Sequence, residues 1–187
     1  MRLTALHRTM ALVFALPLLV STVTGLTYRV GRYWFGMSKE TGGIVLSIHE
    51  GSYLGEMLTP VYVLLVGLGG LILLGTGVWL LTRRMPPLPP SPRRSQIRLH
   101  RTLALIFALP FFLTTMTGMM FRICQAWFGW TKQDAKFLMD LHQGTWLGTD
   151  LRAYYVLVVG LGILSVLFTG LSLINPPASA RPSREQA

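Results

Sequence analysis

The chain contains two copies of one segment, and this duplication constrains its fold more than any other feature. The first copy runs from Leu6 to Arg83 and the second from Leu99 to Pro176, at a constant offset of about 93 residues. The same motifs recur in both copies in the same order: LHRT, ALP, TG, WFG, HEGSYLG or HQGTWLG, and then a glycine-rich segment. Self-similarity of this kind indicates a repeated structural unit, so we expect both halves to fold alike.

Each copy contains two long uncharged apolar runs, which together cover residues 9–28, 57–82, 102–121 and 153–180. Each run reaches the roughly 20 residues that cross about 30 Å of hydrocarbon as a helix. Hydrophobic residues make up 51% of the chain and charged residues only 13%, a balance typical of a membrane protein. The first run also resembles a secretory signal, but its copy in mid-chain favours a structural span that is not cleaved.

These features predict an all-α integral membrane protein with four transmembrane helices. The helices would form two parallel two-helix repeats, related by a pseudo-twofold axis along the membrane normal. The predicted organisation is a first repeat at residues 1–83 (spans about 9–28 and 57–82), a Pro- and Arg-rich cytoplasmic linker at 84–98, a second repeat at 99–176 (spans about 102–121 and 153–176) and a polar tail at 177–187. We expect Met85–Ser95, which reads MPPLPPSPRRS, to be too proline-rich for a helix and therefore extended.

Basic residues are distributed unevenly between the two sides of the predicted spans. The N-terminus, linker and tail hold ten basic residues and one acidic residue, whereas the segments on the opposite side hold seven basic and six acidic residues. The positive-inside rule therefore places both termini and the linker in the cytoplasm. We expect a multi-pass protein of the bacterial inner (cytoplasmic) membrane, with a thylakoid membrane as the alternative. The net charge of +10 is interpreted as an orientation signal that favours anionic lipid and not nucleic acid.

All four histidines of the chain lie in the duplicated segments, where His7 matches His100 and His49 matches His142. His7 and His100 precede the first and third spans on the cytoplasmic side, and the other two follow those spans on the opposite side. Gly25, at the far end of the first span, lies about 27 Å of helical rise from His7, so His7 and His49 cannot share a small ligand. Across a pseudo-twofold axis equivalent histidines can face each other, which predicts two imidazole pairs at two depths.

Two imidazoles that face one axis suit the two axial positions of a haem iron. Ionisable groups at membrane depth are usually functional, and Arg8 and Arg101, directly after the cytoplasmic pair, are predicted to bind haem propionates. Two alternatives stay open: the histidines are interfacial anchors, or they bind a structural metal such as zinc. Zinc would need two further ligands, and Glu50 could supply one, although its equivalent residue is Gln143.

The glycines of the chain also allow two interpretations. Those in the HEGSYLG and HQGTWLG motifs either admit a flat ligand to the backbone or form a bent turn before the next span; they are Gly51, Gly55, Gly144 and Gly148. Glycines within the second and fourth spans, including Gly77 and Gly170, are interpreted as positions of close helix packing and not as ligand contacts.

The pattern LHRT, ALP and TG in the first and third spans, with HEGSYLG or HQGTWLG before a glycine-rich span that ends in TG, resembles the PepSY-associated transmembrane family. The resemblance covers the chain from His7 to Pro176. It implies that His7, His49, His100 and His142 are ligands of two b-type haems, because family members similar to ferric-siderophore reductases carry such haems between their helices. Most members have a soluble PepSY domain after the first span, and the segment Arg29–Leu58 is too short for one.

The expected function is therefore that of a dihaem b-type membrane protein that moves electrons across the membrane, with ferric or siderophore reduction as one use. It would be an electron-transfer component rather than a self-contained reductase, because no flavin or nicotinamide fingerprint is present in the sequence. A quinol, flavoprotein or soluble donor would act on the cytoplasmic side, and an acceptor such as ferric iron on the outer side. The alternative is a haem-free membrane subunit or assembly factor that binds a larger membrane complex. A transporter or channel is disfavoured because the spans carry only hydroxyl groups.

Overall fold

The computed structural model describes residues 3–83 and 91–174. These residues form six α-helices joined by loops and two short 3₁₀ turns, and no strand occurs among them. The helices are α1 (Leu3–Trp34), α2 (Lys39–Glu50), α3 (Thr59–Leu81), α4 (Pro92–Trp127), α5 (Lys136–Gln143) and α6 (Leu151–Ile174), with the 3₁₀ turns at Ser52–Leu54 and Thr145–Leu147. Four of them, α1, α3, α4 and α6, are long and apolar enough to cross a membrane. The predicted all-α fold with four membrane-spanning helices is confirmed.

The four long helices form a ring in which each packs against two others. Both α1 and α4 contact α3 and α6, while the short helix α2 packs against α1 and α5 packs against α4. Large apolar side chains such as Leu16, Leu105 and Leu109 are exposed on the outside of the ring, as expected where lipid replaces water as the solvent. Equivalent helices thus make equivalent contacts in the two halves, while the pseudo-twofold axis stays a prediction.

Glycines allow the ring to close tightly. Gly69 of α3 lies against Phe14 of α1, and the equivalent Gly162 of α6 lies against Phe107 of α4. A Cβ atom at these glycines would lie 2.4 Å and 2.1 Å from the nearest ring atoms. Small residues at helix interfaces permit this close approach in membrane proteins.

The HEGSYLG and HQGTWLG motifs end α2 and α5 in equivalent turns. Gly51 follows α2 with a φ of 71°, and Gly144 follows α5 with a φ of 68°, conformations that glycine adopts without a Cβ penalty. The rings of Tyr62 and Tyr155 pack on these glycines, where a Cβ would lie 2.3 Å from either ring. The turn interpretation therefore accounts for Gly51 and Gly144.

The prediction that Met85–Ser95 is extended is wrong for its last residues, because α4 begins at Pro92. The hydroxyl oxygen of Ser91 caps the helix by accepting a hydrogen bond from the backbone N–H of Arg94 at 3.3 Å. A proline in the first helical turn loses no hydrogen bond and has a suitable φ. The sequence prediction counted the prolines without weighing their position. Residues 85–90 and the predicted tail 177–187 lie outside the described residues.

Candidate cofactor site

His49 and His142, here named the outer pair, lie next to each other within the ring of helices. Their ring centroids are 6.2 Å apart and the ring planes meet at 49°. His49 lies near the end of α2 and His142 near the end of α5. Because α2 packs against α1 and α5 against α4, the pair joins the two halves of the chain.

Each ring of the outer pair is oriented by a backbone carbonyl of a long helix. The Nδ1 atom of His49 lies 2.8 Å from the carbonyl oxygen of Ser21, and Nδ1 of His142 lies 2.8 Å from that of Thr114. A carbonyl oxygen can only accept a hydrogen bond, so Nδ1 carries the proton and donates it in both rings. The lone pair of each Nε2 atom is then available, which is the form of imidazole that binds a metal.

Two glycines let these rings lie directly on the helix backbone. A Cβ at Gly25 of α1 would lie 2.9 Å from Cε1 of His49, and a Cβ at Gly118 of α4 would lie 2.8 Å from Cε1 of His142. Sequence reasoning did not identify either glycine as a contact of a histidine. The signal was present, because each follows a threonine in a TG pair that recurs in both copies.

The outer pair lines a cavity of about 540 Å³ that all six helices enclose. This volume falls within the roughly 300–1,000 Å³ that is typical of sites for small molecules and cofactors. The walls are largely apolar and include Phe111, Val159 and Ile163.

The surroundings of the outer pair favour neutral imidazoles. Burial, followed by the neighbouring His49 and the positive charge of Arg29, lowers the pKa of His142 to about 4, although its hydrogen bond to Thr114 acts in the opposite direction. Burial likewise lowers the pKa of His49. Metal binding requires the neutral ring, so neither histidine would have to lose a proton at neutral pH.

Two arginines at equivalent positions form different contacts beside the outer pair. Arg122 forms an ion pair with Glu50, whereas Arg29 donates a hydrogen bond to the side-chain oxygen of Gln143. All four residues line the cavity. Both contacts connect one half of the chain with the other, but only that of Arg122 includes a compensating negative charge.

His7 and His100, here named the inner pair, lie near the N-terminal ends of α1 and α4. The outer pair contacts the same two helices farther along, at Ser21 and Thr114. The Nδ1 atom of His7 is 2.9 Å from Oγ1 of Thr76, and Nδ1 of His100 is 3.0 Å from Oγ1 of Thr169. Each threonine hydroxyl donates its own hydrogen to a backbone carbonyl one turn earlier. It therefore accepts from Nδ1–H, which again leaves the Nε2 lone pair available.

Gly77 and Gly170 pack against the inner pair, in agreement with the interpretation of these glycines as positions of close helix packing. A Cβ at Gly77 would lie 3.2 Å from Cε1 of His7, and one at Gly170 would lie 3.1 Å from Cε1 of His100. Among the described residues, no ring contact joins His7 to His100, and neither histidine lines the cavity of the outer pair.

The two arginines that were predicted to bind propionates have different surroundings. Arg101 donates hydrogen bonds to three carbonyl oxygens at the end of α3, those of Leu80, Leu81 and Arg83. These hydrogen bonds cap the C-terminal end of α3 and the two residues after it, where the carbonyl of Leu80 also accepts a hydrogen bond from the backbone N–H of Arg83. Arg8 is exposed. The role of both arginines in binding a cofactor stays a prediction.

A zinc site lacks a ligand set in the part of the chain that the structure describes. No group of three or more His, Cys, Asp or Glu residues that could hold a metal ion occurs there, and Arg122 already engages the carboxylate of Glu50. Two imidazoles leave a zinc ion two ligands short. Iron in a porphyrin needs only its axial positions filled, so the outer pair fits haem better than zinc.

Comparison with known proteins gave one match. The family model described as PepSY-associated TM region matches residues 36–137, which is more than half of the chain. The matched segment runs from just after α1 into α5 and includes His49 and His100. No curated protein and no solved structure matched the chain.

Proposed function

The chain belongs to the PepSY-associated transmembrane family, and we propose that it is a dihaem b-type membrane protein that moves electrons across the membrane. The family match confirms the resemblance carried by the histidine and TG motifs. Residues 35–58, between α1 and α3, hold only α2 and a 3₁₀ turn, so this member lacks a soluble PepSY domain at that position. The observation that carries the proposal is the outer pair at its cavity.

The spacing of the outer pair suits one metal ion between two imidazoles. A histidine nitrogen binds a metal ion at about 2.0–2.1 Å and the ring centroid lies about 1.2 Å behind it, so two histidines that bind the same ion have ring centroids at most about 6.6 Å apart. The observed separation is 6.2 Å. The hydrogen bonds from Nδ1 to the carbonyls of Ser21 and Thr114 fix the tautomer and the ring orientation, as partners of metal-binding histidines generally do.

Bound haem would supply reversible one-electron chemistry at iron, with a potential set by its axial ligands, hydrogen bonding and burial. The chain contributes histidines in the metal-binding tautomer, apolar walls that exclude water, and glycines that admit the rings. His7 lies about 21 Å of helical rise from Ser21, the residue that orients His49. The two pairs therefore lie at different depths, as a route across a membrane requires.

We place the inner pair on the cytoplasmic side of a bacterial inner membrane. The argument is the positive-inside rule, since Arg83, Arg93, Arg98 and Arg101 lie at that end of the long helices. A quinol or a reduced protein would donate electrons there, and an oxidised acceptor such as ferric iron would take them at the outer pair. In this proposal, hydride chemistry would belong to the electron donor.

Visible spectroscopy tests the proposal. The full chain, purified in detergent from haem-replete cells, should give a reduced-minus-oxidised b-type spectrum, and a pyridine haemochrome assay should give two haems per chain. The second candidate function, a haem-free subunit or assembly factor of a membrane complex, predicts no b-type signal. That result would refute the proposal.

Alanine variants test how the histidines pair. His49→Ala and His142→Ala should each remove the same haem, whereas His7→Ala should remove the other one. Met139→Leu is the control, because it changes a cavity wall with little change in volume and should retain both haems. Loss of one haem from His7→Ala and of the same haem from His49→Ala would contradict the pairing between the two halves.

A further inference from the structure

Two arginines at equivalent positions of the duplicated segments line the outer cavity, but the charges around them differ. Arg29 and Arg122 differ by the repeat offset, and both line the cavity. The residues that they reach are also equivalent in sequence, yet one is Glu50 and the other is Gln143. Arg122 is therefore neutralised within the protein, whereas among the described residues the hydrogen-bond partner of Arg29 is the amide oxygen of Gln143.

Among the charged residues that line the cavity, Arg29 carries a charge that neither an ion pair nor full exposure to solvent compensates. The charged lining residues are Arg29, Arg122, Lys132 and Glu50. Glu50 compensates Arg122, and Lys132 is exposed, so water and salt screen its charge. Arg29 is only partly exposed, and no ion pair involving it occurs in the described residues.

A second guanidinium adds to the positive charge near Arg29. Arg152, at the start of α6, is within electrostatic range of Arg29, although it is not itself one of the residues that line the cavity. Asp150 accepts a hydrogen bond from the hydroxyl of Tyr33 at 3.3 Å and forms no ion pair with either arginine. Like charges in a poorly solvated position repel, so an anion next to Arg29 would be stabilised.

We propose that Arg29 binds a carboxylate of the ligand that fills the outer cavity, and that Arg122, which Glu50 neutralises, does not. The planar guanidinium matches a carboxylate with two parallel hydrogen bonds, and the anion would compensate the charge of Arg29 in the cavity wall. This inference rests on the proposed function, which makes the ligand haem b and the carboxylate a propionate. The ligand then has one preferred orientation in a cavity whose duplicated walls would otherwise allow two.

Haem and its dimethyl ester, which lacks the propionate charges, test this assignment. Each is titrated into the haem-free full chain in detergent, and the outer equivalent is identified as the one that His142→Ala abolishes. The wild-type chain should bind haem about ten- to a hundredfold more tightly than the ester at this site, the range expected for a charge-assisted hydrogen bond. Arg29→Gln should weaken haem binding by a similar factor and leave ester binding unchanged.

Two further variants separate this role from a structural one. Gln143→Glu keeps Arg29 but gives it the partner that Arg122 has, and it should weaken haem binding as Arg29→Gln does. The double variant Glu50→Gln, Arg122→Gln removes the equivalent ion pair without a change in net charge. It is the matched control, and it should preserve the preference for haem over the ester.

Three outcomes would overturn the inference in distinguishable ways. If the wild-type chain binds two haems but does not prefer haem to the ester, or if Arg29→Gln and Gln143→Glu both leave haem affinity unchanged, the carboxylate assignment is wrong and the proposed function stands. A parallel measurement compares the Tm of the wild-type chain and of Arg29→Gln with and without vesicles of anionic phospholipid. If Arg29→Gln abolishes the increase in Tm caused by the vesicles but leaves haem affinity unchanged, the anion is a lipid phosphate. If the wild-type chain binds no haem, the proposed function fails, and this inference fails with it.

Discussion

The substitution Gly118→Ala is expected to displace the ring of His142, which belongs to α5, from its contact with α4. The added Cβ would lie 2.8 Å from Cε1 and 2.9 Å from Nδ1 of the ring, whereas non-bonded carbon atoms separate to about 3.5–4.0 Å. The helix backbone cannot recede, so the ring has to move by about 0.7 Å or more. This movement strains the hydrogen bond of 2.8 Å from Nδ1 to the carbonyl of Thr114.

The magnitude of the effect of Gly118→Ala on stability follows from opposing contributions. Alanine favours a helix over glycine by about 1 kcal/mol. Overpacking costs about 1–3 kcal/mol, and loss of the hydrogen bond to Thr114 costs about 0.5–1.5 kcal/mol. The expected net loss in the free energy of unfolding is therefore about 0.5–3.5 kcal/mol. A ring displaced by more than about 0.5 Å no longer meets the tolerance of a ligand site, so the outer haem should be lost.

Thermal unfolding and haem content measured on the same preparation check this prediction. Gly75→Ala is the matched control, because it is the same change within a spanning helix and a Cβ there would have nothing within 4 Å. Gly75→Ala should keep two haems with an equal or higher Tm, whereas Gly118→Ala should keep one haem with a lower Tm. If both variants retain two haems and shift Tm alike, the contact between Gly118 and the ring does not position His142.

Three further predictions follow from individual contacts. Thr76→Val removes the acceptor for Nδ1 of His7 and should weaken the inner haem about 10- to 100-fold in titrations, while Thr76→Ser should not. Glu50→Gln leaves Arg122 without its ion pair and should lower stability in thermal unfolding by about 1–3 kcal/mol, between the values for exposed and buried pairs. In the cofactor-free protein, the pKa of His142 near 4 lies below its ordinary value of 6.5, so protonation opposes folding. Stability from this group should be complete above pH 6.5 and fall by up to about 3 kcal/mol towards pH 4, and His142→Gln should reduce that pH dependence.

The spanning helices could be predicted from the sequence because lipid imposes a simple requirement on length and polarity. The second span was predicted at about 57–82, and α3 covers Thr59–Leu81. The first was predicted to end near residue 28, but α1 continues to Trp34. Hydropathy marks the hydrocarbon region and not the end of a helix, so Arg29 and Arg32 continue α1 beyond the apolar run.

The short helices α2 and α5 could not be predicted in the same way. They are too short to span and their position depends on tertiary contacts, above all those of His49 with Gly25 and of His142 with Gly118. Such contacts join residues far apart in the sequence, and neither periodicity nor composition reports them. The polar asymmetry between Glu50 and Gln143 was visible in the sequence, but its consequence needed the structure, which brings each residue to an arginine of the other half.

The common construction of the four histidine positions argues against the interpretation of these residues as interfacial anchors. In each case Nδ1 lies within hydrogen-bond distance of a protein oxygen, and Cε1 rests on a glycine of another helix. An anchor keeps its polar atoms in the interfacial water and needs neither a fixed tautomer nor a glycine beneath its ring. A ligand needs both, because its Nε2 lone pair has to hold one direction and a side chain under the ring would displace it. The repeated combination of an oxygen acceptor and a glycine contact therefore favours ligation at all four positions.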